Sequence, residues 1–407
     1  MIKKKNLYEY FYVLIFGIIL VQLFFVPGIR LGVLTSIIII FLLFTSISKK
    51  VLFKNSFINK LILLYILYNT VSIVWVVFSG IPVAVFVAEW TNSILPVFFF
   101  YFAYGDNENK NNFFDITLLI LVSSFILGFF LWISNAPLYR VFMDTTEGAG
   151  TDLFNFQSLF GLTATGALGV IGFLISAKIL FRSGGRNGKL ALIICAVAAI
   201  MTLRRSALVV LAIMFVVLNF VGFYQCGFLK KRYLILEIVF LCTTYFIVAQ
   251  EYGDFLMALT ERSQMISDAF SSRSSTWKYN PEYSEIFVGK GLGAVGHKAI
   301  GYSSSIISDG NYFKLLAENG ILGTVIFVLI ILSTFQKGIK NLKEHYLELC
   351  IMLSMSLIAI GSNIFTYQSV APLFWYSIGR ISRNNYDMLN SRQQDLAIPV
   401  KSLALPR

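Results

Sequence analysis

Long apolar runs separated by short polar segments dominate this sequence almost from one end to the other. A run of about 20 apolar residues is long enough for a helix to cross the hydrocarbon core of a bilayer. We therefore predict an all-α polytopic membrane protein, with residues 1–407 forming a single integral membrane domain. The pattern predicts about twelve transmembrane helices, near residues 8–26, 31–47, 60–78, 81–104, 113–133, 158–180, 190–203, 206–223, 233–250, 312–333, 346–362 and 364–380.

Composition supports a membrane protein and excludes several other classes. The chain is 57% hydrophobic and 13% charged, whereas soluble domains carry about 25% charged residues. The net charge of +12 would suggest a nucleic-acid partner in a soluble protein, but here the basic residues lie in short loops between spans. The four cysteines fall in apolar runs or short basic loops, so no disulfide framework or metal pattern is visible. We predict no nucleic-acid partner, no metal and no cofactor.

The pair Arg204–Arg205 decides how the spans alternate across the membrane. An uninterrupted helix over 190–223 would be about 50 Å long, well beyond a hydrocarbon core of ~30 Å. It would also put the basic loops before and after it on opposite faces. We therefore predict two short spans that meet at this pair.

With that division, most of the 33 Lys and Arg residues fall on one side of the membrane. The positive-inside rule then places both termini in the cytoplasm, including the tail 381–407. Two long segments face outward: a first outer loop, 134–157, and a large extracytoplasmic loop, 251–311, between helices 9 and 10.

The large loop contains "GKGLGAVG", which from Gly291 fits the G-x-G-x-x-G pattern of nucleotide-binding loops. The context argues against a nucleotide, because no strand precedes the glycines and no acidic residue follows at the ribose-contact spacing. Two interpretations remain: close approach of the backbone to a bulky ligand, or a loop that turns between short helices.

Arg204 and Arg205 follow a predicted span of only 14 apolar residues, which rises about 21 Å. They should therefore lie short of the outer headgroups. Adjacent side chains on a helix point about 100° apart, so one of the two arginines should face protein. Guanidinium groups match phosphate oxygens, so the pair predicts a site for a lipid-linked phosphate or diphosphate; the alternative is a topological anchor. Arg140 and Arg273 either join this site from the two outer loops or are solvated loop charges.

Candidate bases cluster where helix 10 begins, in "SDGNYFKLLAENGILG". Asp309 precedes the helix, and Asn311 and Glu318 are seven residues apart, which puts them on one helical face. A carboxylate in such a cavity can act as a general base. His297, in the large loop, is a further candidate, although an exposed loop histidine is commonly inert.

Two other ionisable residues have competing interpretations. Glu89, in the outer part of its span, either lines the same cavity or forms a structural ion pair. His345 lies among lysines near the cytoplasmic face and is predicted to be a solvated loop residue.

Three stretches in this order resemble the bacterial O-antigen polymerase (Wzy-type) family of the O-antigen ligase and polymerase superfamily. They are "TLRRSALVVL", "SSRSSTWKYNPEYSEIFVGKGLG" and "SDGNYFKLLAENGILG". The junction reads Arg-Arg-Ser where the family has Ser-Arg-Gly. The resemblance therefore leaves open which of the two arginines has the role of the family's arginine. Asp309 stands closest to the position where ligases of the superfamily carry a histidine, which favours a polymerase. The family's Gly and Pro-Asn signature is not clear in the first outer loop.

The resemblance implies a polysaccharide polymerase at the outer face of the bacterial cytoplasmic membrane. It would transfer a polyprenyl-diphosphate-linked glycan onto a new lipid-linked repeat unit, in a pathway with a flippase and a chain-length regulator. The arginines would stabilise the leaving diphosphate, and Asp309, Glu318 or His297 would deprotonate the attacking hydroxyl group. The loop aromatics Trp277, Tyr279 and Tyr302 would either stack on sugars or pack the loop itself. The alternatives are a ligase of the same superfamily and, in a different class, a lipid-linked oligosaccharide transporter.

Overall fold

The structure is a computed structural model that describes residues 56–105, 112–134, 156, 158, 160, 162–183, 186–202, 204–226, 283–303, 306–307 and 309–383. Within these ranges the ordered elements are all helical, and no strand occurs.

The described helices, numbered in chain order, come from three stretches of the chain. The first stretch holds α1 (Phe57–Val71), α2 (Ile73–Phe78), α3 (Val83–Ser93), a 3₁₀ turn (Leu95–Phe98), α4 (Phe99–Gly105) and α5 (Asn112–Ile133). The second holds α6 (Leu162–Ser183), α7 (Arg186–Met201) and α8 (Arg205–Cys226). The third holds α9 (Tyr283–Val288), a 3₁₀ turn (His297–Ala299), α10 (Asn311–Lys340), α11 (Leu342–Ile358), a 3₁₀ turn (Ile364–Thr366) and α12 (Ala371–Ser382).

Five segments in these ranges are long and apolar enough to cross a membrane: Phe57–Phe78, Val83–Tyr104, Phe113–Ile133, Thr163–Phe181 and Asn311–Lys340. They coincide with five predicted spans, and the chain is accordingly a helical membrane protein. Local sequence explains their ends. The Ser56 hydroxyl caps α1 by accepting a hydrogen bond from the Asn59 amide at 3.2 Å, and Gly80 turns the chain toward α3 with φ 72°.

The predicted division at Arg204 is confirmed, since α7 ends at Met201 and α8 begins at Arg205. Near the end of the described chain the prediction was less accurate. The helix predicted over 346–362 is α11, which already ends at Ile358. The segment 364–380 is α-helical only from Ala371, where Pro372 occupies the first turn of α12. Predicted spans 8–26, 31–47 and 233–250 lie outside the described residues.

The consecutive helices α10, α11 and α12 run in alternating directions, which gives the bundle two distinct ends. The amide of Asn311 donates to the carbonyl of Ala359 at 2.9 Å, so the start of α10 meets the end of α11. At the opposite end Lys337 Nζ donates to the carbonyl of Ser382 at 2.6 Å. We refer to these as the Asn311 end and the Lys340 end.

Helix α6 lies in the middle of the bundle and is the most deeply buried of the five long segments. Small residues let its neighbour α7 approach closely: a Cβ on Gly172 would lie 2.7 Å from the buried Cys195 thiol, and one on Gly169 would lie 2.9 Å from Ala199. The start of α6 also meets the start of α8, where a Cβ on Gly166 would lie 3.0 Å from Ala207. Lys178, near the end of α6, lies 3.9 Å from Glu348, near the start of α11. The start of α6, and with it the start of α8, therefore belongs to the Asn311 end.

Candidate functional site

Arg204 occupies the short junction between α7 and α8, as the sequence predicts. Its side chain is half-buried, and its backbone amide donates to the Thr202 hydroxyl at 3.4 Å. The Thr202 hydroxyl in turn donates to the carbonyl of Ala199 and so closes the end of α7. Arg205 is the first residue of α8. The break therefore holds the Arg204 guanidinium group at the Asn311 end of the bundle, partly withdrawn from the surface.

The glycine run of the large loop is packed against the helices. Gly289, Gly291 and Gly293 all have positive φ, at 75°, 92° and 86°, which favours glycine. Space is equally restrictive: a Cβ on Gly289 would overlap the backbone carbonyl of Glu318, and one on Gly291 would lie 2.5 Å from Val76 Cγ2. Of the two interpretations left open by the sequence, the structure supports a turn after a short helix, here α9, fitted closely to its neighbours.

This run packs at a break inside α10. Gly320 has φ 60° and ψ −169°, which interrupts the helix one-third of the way along. The carbonyl groups just before the break accept hydrogen bonds from the loop. The Ala317 carbonyl accepts one from the Lys290 amide at 3.0 Å, and the Glu318 carbonyl accepts one from the Gly291 amide at 2.8 Å. The next carbonyl group, that of Asn319, accepts a hydrogen bond from the Tyr68 hydroxyl group at 2.8 Å. Loop and helix thus satisfy each other's backbone groups, as buried polar groups require.

A group of four charged side chains lies directly beneath the glycine run. Glu89 of α3 is buried and accepts a short hydrogen bond from Lys314 Nζ of α10. Lys298 Nζ, from the 3₁₀ turn after the glycines, is 3.6 Å from Glu89 Oε2. Lys314 Nζ is also 3.9 Å from Glu318 Oε1, one helical turn further along α10. We call Glu89, Lys298, Lys314 and Glu318 the Glu89 cluster.

With all four groups ionised, the Glu89 cluster is formally neutral, which offsets part of the cost of removing its charges from water. The backbone amides of Gly293 and Val295 hydrogen-bond the Glu318 carboxylate. Lys298 is the member nearest the surface, with 37% of its side chain exposed, and its Nζ also donates to the carbonyl of Ala88 at 2.8 Å. Partial burial lowers the pKa of Lys298, and the charge of Glu89 opposes this effect. Of the two interpretations of Glu89, pairing is the one observed.

The other predicted site residues near the start of α10 have different surroundings. Asn311 is buried, and its side-chain carbonyl accepts a hydrogen bond from the Phe365 amide at 3.2 Å. Asp309 is half-buried just before the helix, whereas His297 and Tyr302 are exposed on the loop. The site residues Arg140, Arg273, Trp277 and Tyr279 lie outside the described residues, as do most of 134–157 and 251–282 and the tail beyond 383.

Lys314 and Lys298 were missed at the sequence level. The available signal was a Lys and a Glu four residues apart inside an apolar helix, together with a second Glu in another span. Opposite charges in separate membrane helices tend to pair because each alone is costly to bury. That rule would have suggested joining Glu89 to Lys314.

A second charged group, which the sequence did not reveal, lies at the Lys340 end. Glu348 of α11 is fully buried, and its Oε1 accepts a hydrogen bond from Arg380 Nε at 2.8 Å. Lys178 Nζ of α6 is 3.9 Å from the same oxygen and 5.6 Å from the centroid of the Tyr346 ring. The prediction that His345 is solvated is wrong: it is buried in the first turn of α11 beside Glu348. We call Lys178, His345, Glu348 and Arg380 the Glu348 cluster.

Across the described ranges, no group of three or more His, Cys, Asp or Glu side chains is placed to hold a metal ion. Comparison of the chain with protein-family models and with curated proteins finds no match. The function of this chain is therefore inferred from its sequence and from the arrangement of the residues described above.

Proposed function

We propose that this chain is a polysaccharide polymerase of the Wzy type, which works at the outer face of a bacterial cytoplasmic membrane. In this proposal the chain has twelve spans, both termini are cytoplasmic, and the Asn311 end of the bundle faces outward. The observation that carries the proposal is the half-buried Arg204 at the break between α7 and α8, at the same end as Asp309 and Glu318. The order of the three sequence stretches described above supports it.

The proposed reaction joins two lipid-linked substrates. A hydroxyl group of the incoming repeat unit attacks the anomeric carbon of the growing glycan, and the bond from that carbon to the diphosphate oxygen breaks. Negative charge develops on the departing polyprenyl diphosphate, where Arg204 and Arg205 would stabilise it. A guanidinium group suits this role because it stays charged and offers paired donors to phosphate oxygens. Arg140 and Arg273 are candidates for further diphosphate contacts.

The proton of the attacking hydroxyl group needs an acceptor, and the three candidates differ in accessibility. His297 is exposed, Asp309 is half-buried, and Glu318 is buried beneath the glycine run. A sugar hydroxyl can approach the first two directly, which favours Asp309 or His297 over Glu318 as the group in contact with the acceptor. Trp277, Tyr279 and the exposed Tyr302 are proposed to contact sugar faces.

A transporter of lipid-linked oligosaccharide is the second candidate, because a helix broken inside the membrane beside buried charges is a feature of transporter sites. The break in α10 weakens this candidate, since the loop and Tyr68 already bind the carbonyls before Gly320. A ligase of the same superfamily would use the same arginines, with a different lipid as acceptor.

The test is an elongation assay with purified full-length protein, lipid-linked repeat units and no nucleotide sugar. A polymerase produces a ladder of longer lipid-linked glycans, whereas a transporter leaves the repeat unit unchanged. A ligase leaves it unchanged until a second acceptor lipid is added. Absence of any lengthening from a folded preparation would refute the proposal.

Arg204→Ala should slow elongation by about 100-fold or more, the cost of losing one group that stabilises developing charge. Arg204→Lys should recover little of this rate, because an ammonium group lacks the paired donors. Lys189→Ala is the matched control, since it removes an exposed cation from the opposite end of α7. If the Arg204→Ala variant elongated glycans at the wild-type rate, Arg204 would have no role in the proposed reaction.

A further inference from the structure

The Glu89 cluster has a feature that a purely structural ion pair does not need: its members form a file from the surface into the bundle. Lys298 is partly exposed, Glu89 and Lys314 lie behind it, and Glu318 is the last member. The successive nitrogen–oxygen pairs are all within 4 Å. Acidic and basic groups alternate along the file, so each neighbouring pair consists of a proton donor and a proton acceptor.

The inner end of the file is incompletely satisfied. Glu318 Oε1 is buried and has no hydrogen-bond partner within the described part of the chain, and the same holds for both side-chain amide atoms of the adjacent Asn319. Lys314 Nζ hydrogen-bonds Glu89 but stands 3.9 Å from Glu318 Oε1. Burying a polar atom without a partner costs about 1–3 kcal/mol. The Glu318 carboxylate therefore depends on the backbone amides of Gly293 and Val295, because the nearest cation, Lys314, hydrogen-bonds Glu89 instead.

We infer that the Glu89 cluster is a proton-transfer path, which lets the buried Glu318 exchange its proton with water at the Asn311 end through Lys314, Glu89 and Lys298. Buried ionisable residues in membrane helices commonly serve as proton relays. The inference concerns proton exchange alone and does not rest on the polymerase reaction.

The transfers balance. The Lys314 ammonium group gives a proton to Glu318, so that one N–H bond breaks and one O–H bond forms. Neutral Lys314 then takes a proton that Glu89 has accepted from the Lys298 ammonium group, and Lys298 regains one from water. The net change is one proton moved from the aqueous phase to Glu318, with no oxidation or reduction. Transfer requires hydrogen-bond distance, so the lysine ammonium groups must move to close the gaps of 3.6 and 3.9 Å.

Other titratable groups face Glu318 from the elements packed around it. Besides the members of the file, Tyr65 of α1 is buried close enough to interact electrostatically with its carboxylate. Tyr367, in the loop before α12, interacts with Lys314. Neither tyrosine lies between Glu318 and Lys298 in the file, so the path is defined by the four charged residues.

Infrared difference spectroscopy on the full-length protein in detergent tests the inference. The carbonyl stretch of a protonated, buried carboxylic acid should appear on acidification and shift on transfer to D₂O. Glu318→Gln should lose this band while keeping the wild-type elution profile on size exclusion. Lys298→Met should keep the band but slow its deuterium shift, because the outermost step of the path is removed. Glu285→Gln is the control, since it removes a carboxylate paired with Lys290 at 3.6 Å elsewhere in the loop.

Two results would overturn the inference. One is a Glu318→Gln spectrum identical to that of the wild type, which would mean that Glu318 takes up no proton. The other is deuterium exchange in Lys298→Met as fast as in the wild type, which would mean that the proton travels by another route. A cluster with a structural role alone would lower the thermal stability of Glu318→Gln without changing the spectrum, and that result also counts against a path.

Discussion

The two charged clusters at opposite ends of the bundle are built on different plans. In the Glu348 cluster two cations approach one oxygen of a single, fully buried carboxylate, and every member belongs to a helix. The Glu89 cluster has two carboxylates and two lysines, one of them on a loop and partly exposed. It also lies beside a broken helix and under a run of glycines.

This difference suggests different roles. The Glu348 cluster joins α6, α11 and α12, and both of its cations approach one oxygen of the buried carboxylate, which suits a fixed structural contact. The Glu89 cluster combines neutral overall charge with a partly exposed member that connects it to water, which suits a site where protonation changes. A carboxylate oxygen without a hydrogen-bond partner occurs in both clusters, as Glu318 Oε1 and Glu348 Oε2. Buried ion pairs are weak evidence for stability in themselves, so the two clusters can be separated only by comparing variants of each.

The largest effect is expected from Gly289→Ala, because both its φ of 75° and the overlap of a Cβ with the Glu318 carbonyl exclude a side chain. We expect little or no folded protein, since the glycine run could no longer pack at the break in α10. The yield of monodisperse protein after solubilisation measures this effect.

Gly301→Ala is the matched control, because Gly301 has a similar φ of 87° but nothing within 4 Å of the added Cβ. It should carry only the cost of the left-handed backbone, about 1 kcal/mol, and should fold. Equal yields for the two variants would mean that the close packing at Gly289 is not required.

An intermediate effect is expected from Glu348→Gln, which leaves Lys178 and Arg380 buried with no anion between them. Removing one partner of a buried pair costs about 3–5 kcal/mol. The loss should be measurable as a lower free energy of unfolding in a detergent titration. Glu89→Gln should cost less, because Lys314 keeps Glu318 nearby and Lys298 can turn to water. If Glu89→Gln were the more damaging of the two, the Glu89 cluster would be the structural one.

The smallest effect is expected from Glu285→Gln, which breaks the pair with Lys290 at 3.6 Å, a half-buried pair whose two side chains both still reach water. Pairs of this kind contribute about 0–1 kcal/mol, so the free energy of unfolding should hardly change. A loss comparable to that of Glu348→Gln would show that the loop is held by its own ion pairs as well as by the glycine contacts.

Much of the fold could be predicted from the apolar pattern alone. Five predicted spans coincide with long apolar helices, and the length argument located the break at Arg204 between α7 and α8. The end of α11 and the start of α12 were less predictable, because apolar residues such as Ile364 and Phe365 continue through the segment between the two helices. Hydropathy carries no information on where the backbone leaves the helix.

The site was only partly predictable. Glu318 was identified from its position at the start of helix 10. The pairing of its neighbour Lys314 with Glu89, 225 residues away in the chain, was not, because single-sequence patterns do not report such contacts. His345 was misjudged because its neighbours in the sequence are polar, whereas its position on α11 turns it toward Glu348. The packing role of each glycine could be recognised only in the structure, from the atoms that a Cβ at that position would contact.

The central claim is that the Asn311 end, with Arg204 and the Glu89 cluster, faces the outside of the cell. Cysteine labelling tests it in a variant whose four native cysteines are replaced by alanine. Ile300→Cys, exposed on the loop beside Lys298, should react with a membrane-impermeant thiol reagent added to intact cells. Lys343→Cys, exposed at the Lys340 end, should react only after permeabilisation. The reverse pattern would contradict the orientation and, with it, the proposed reaction at the outer face.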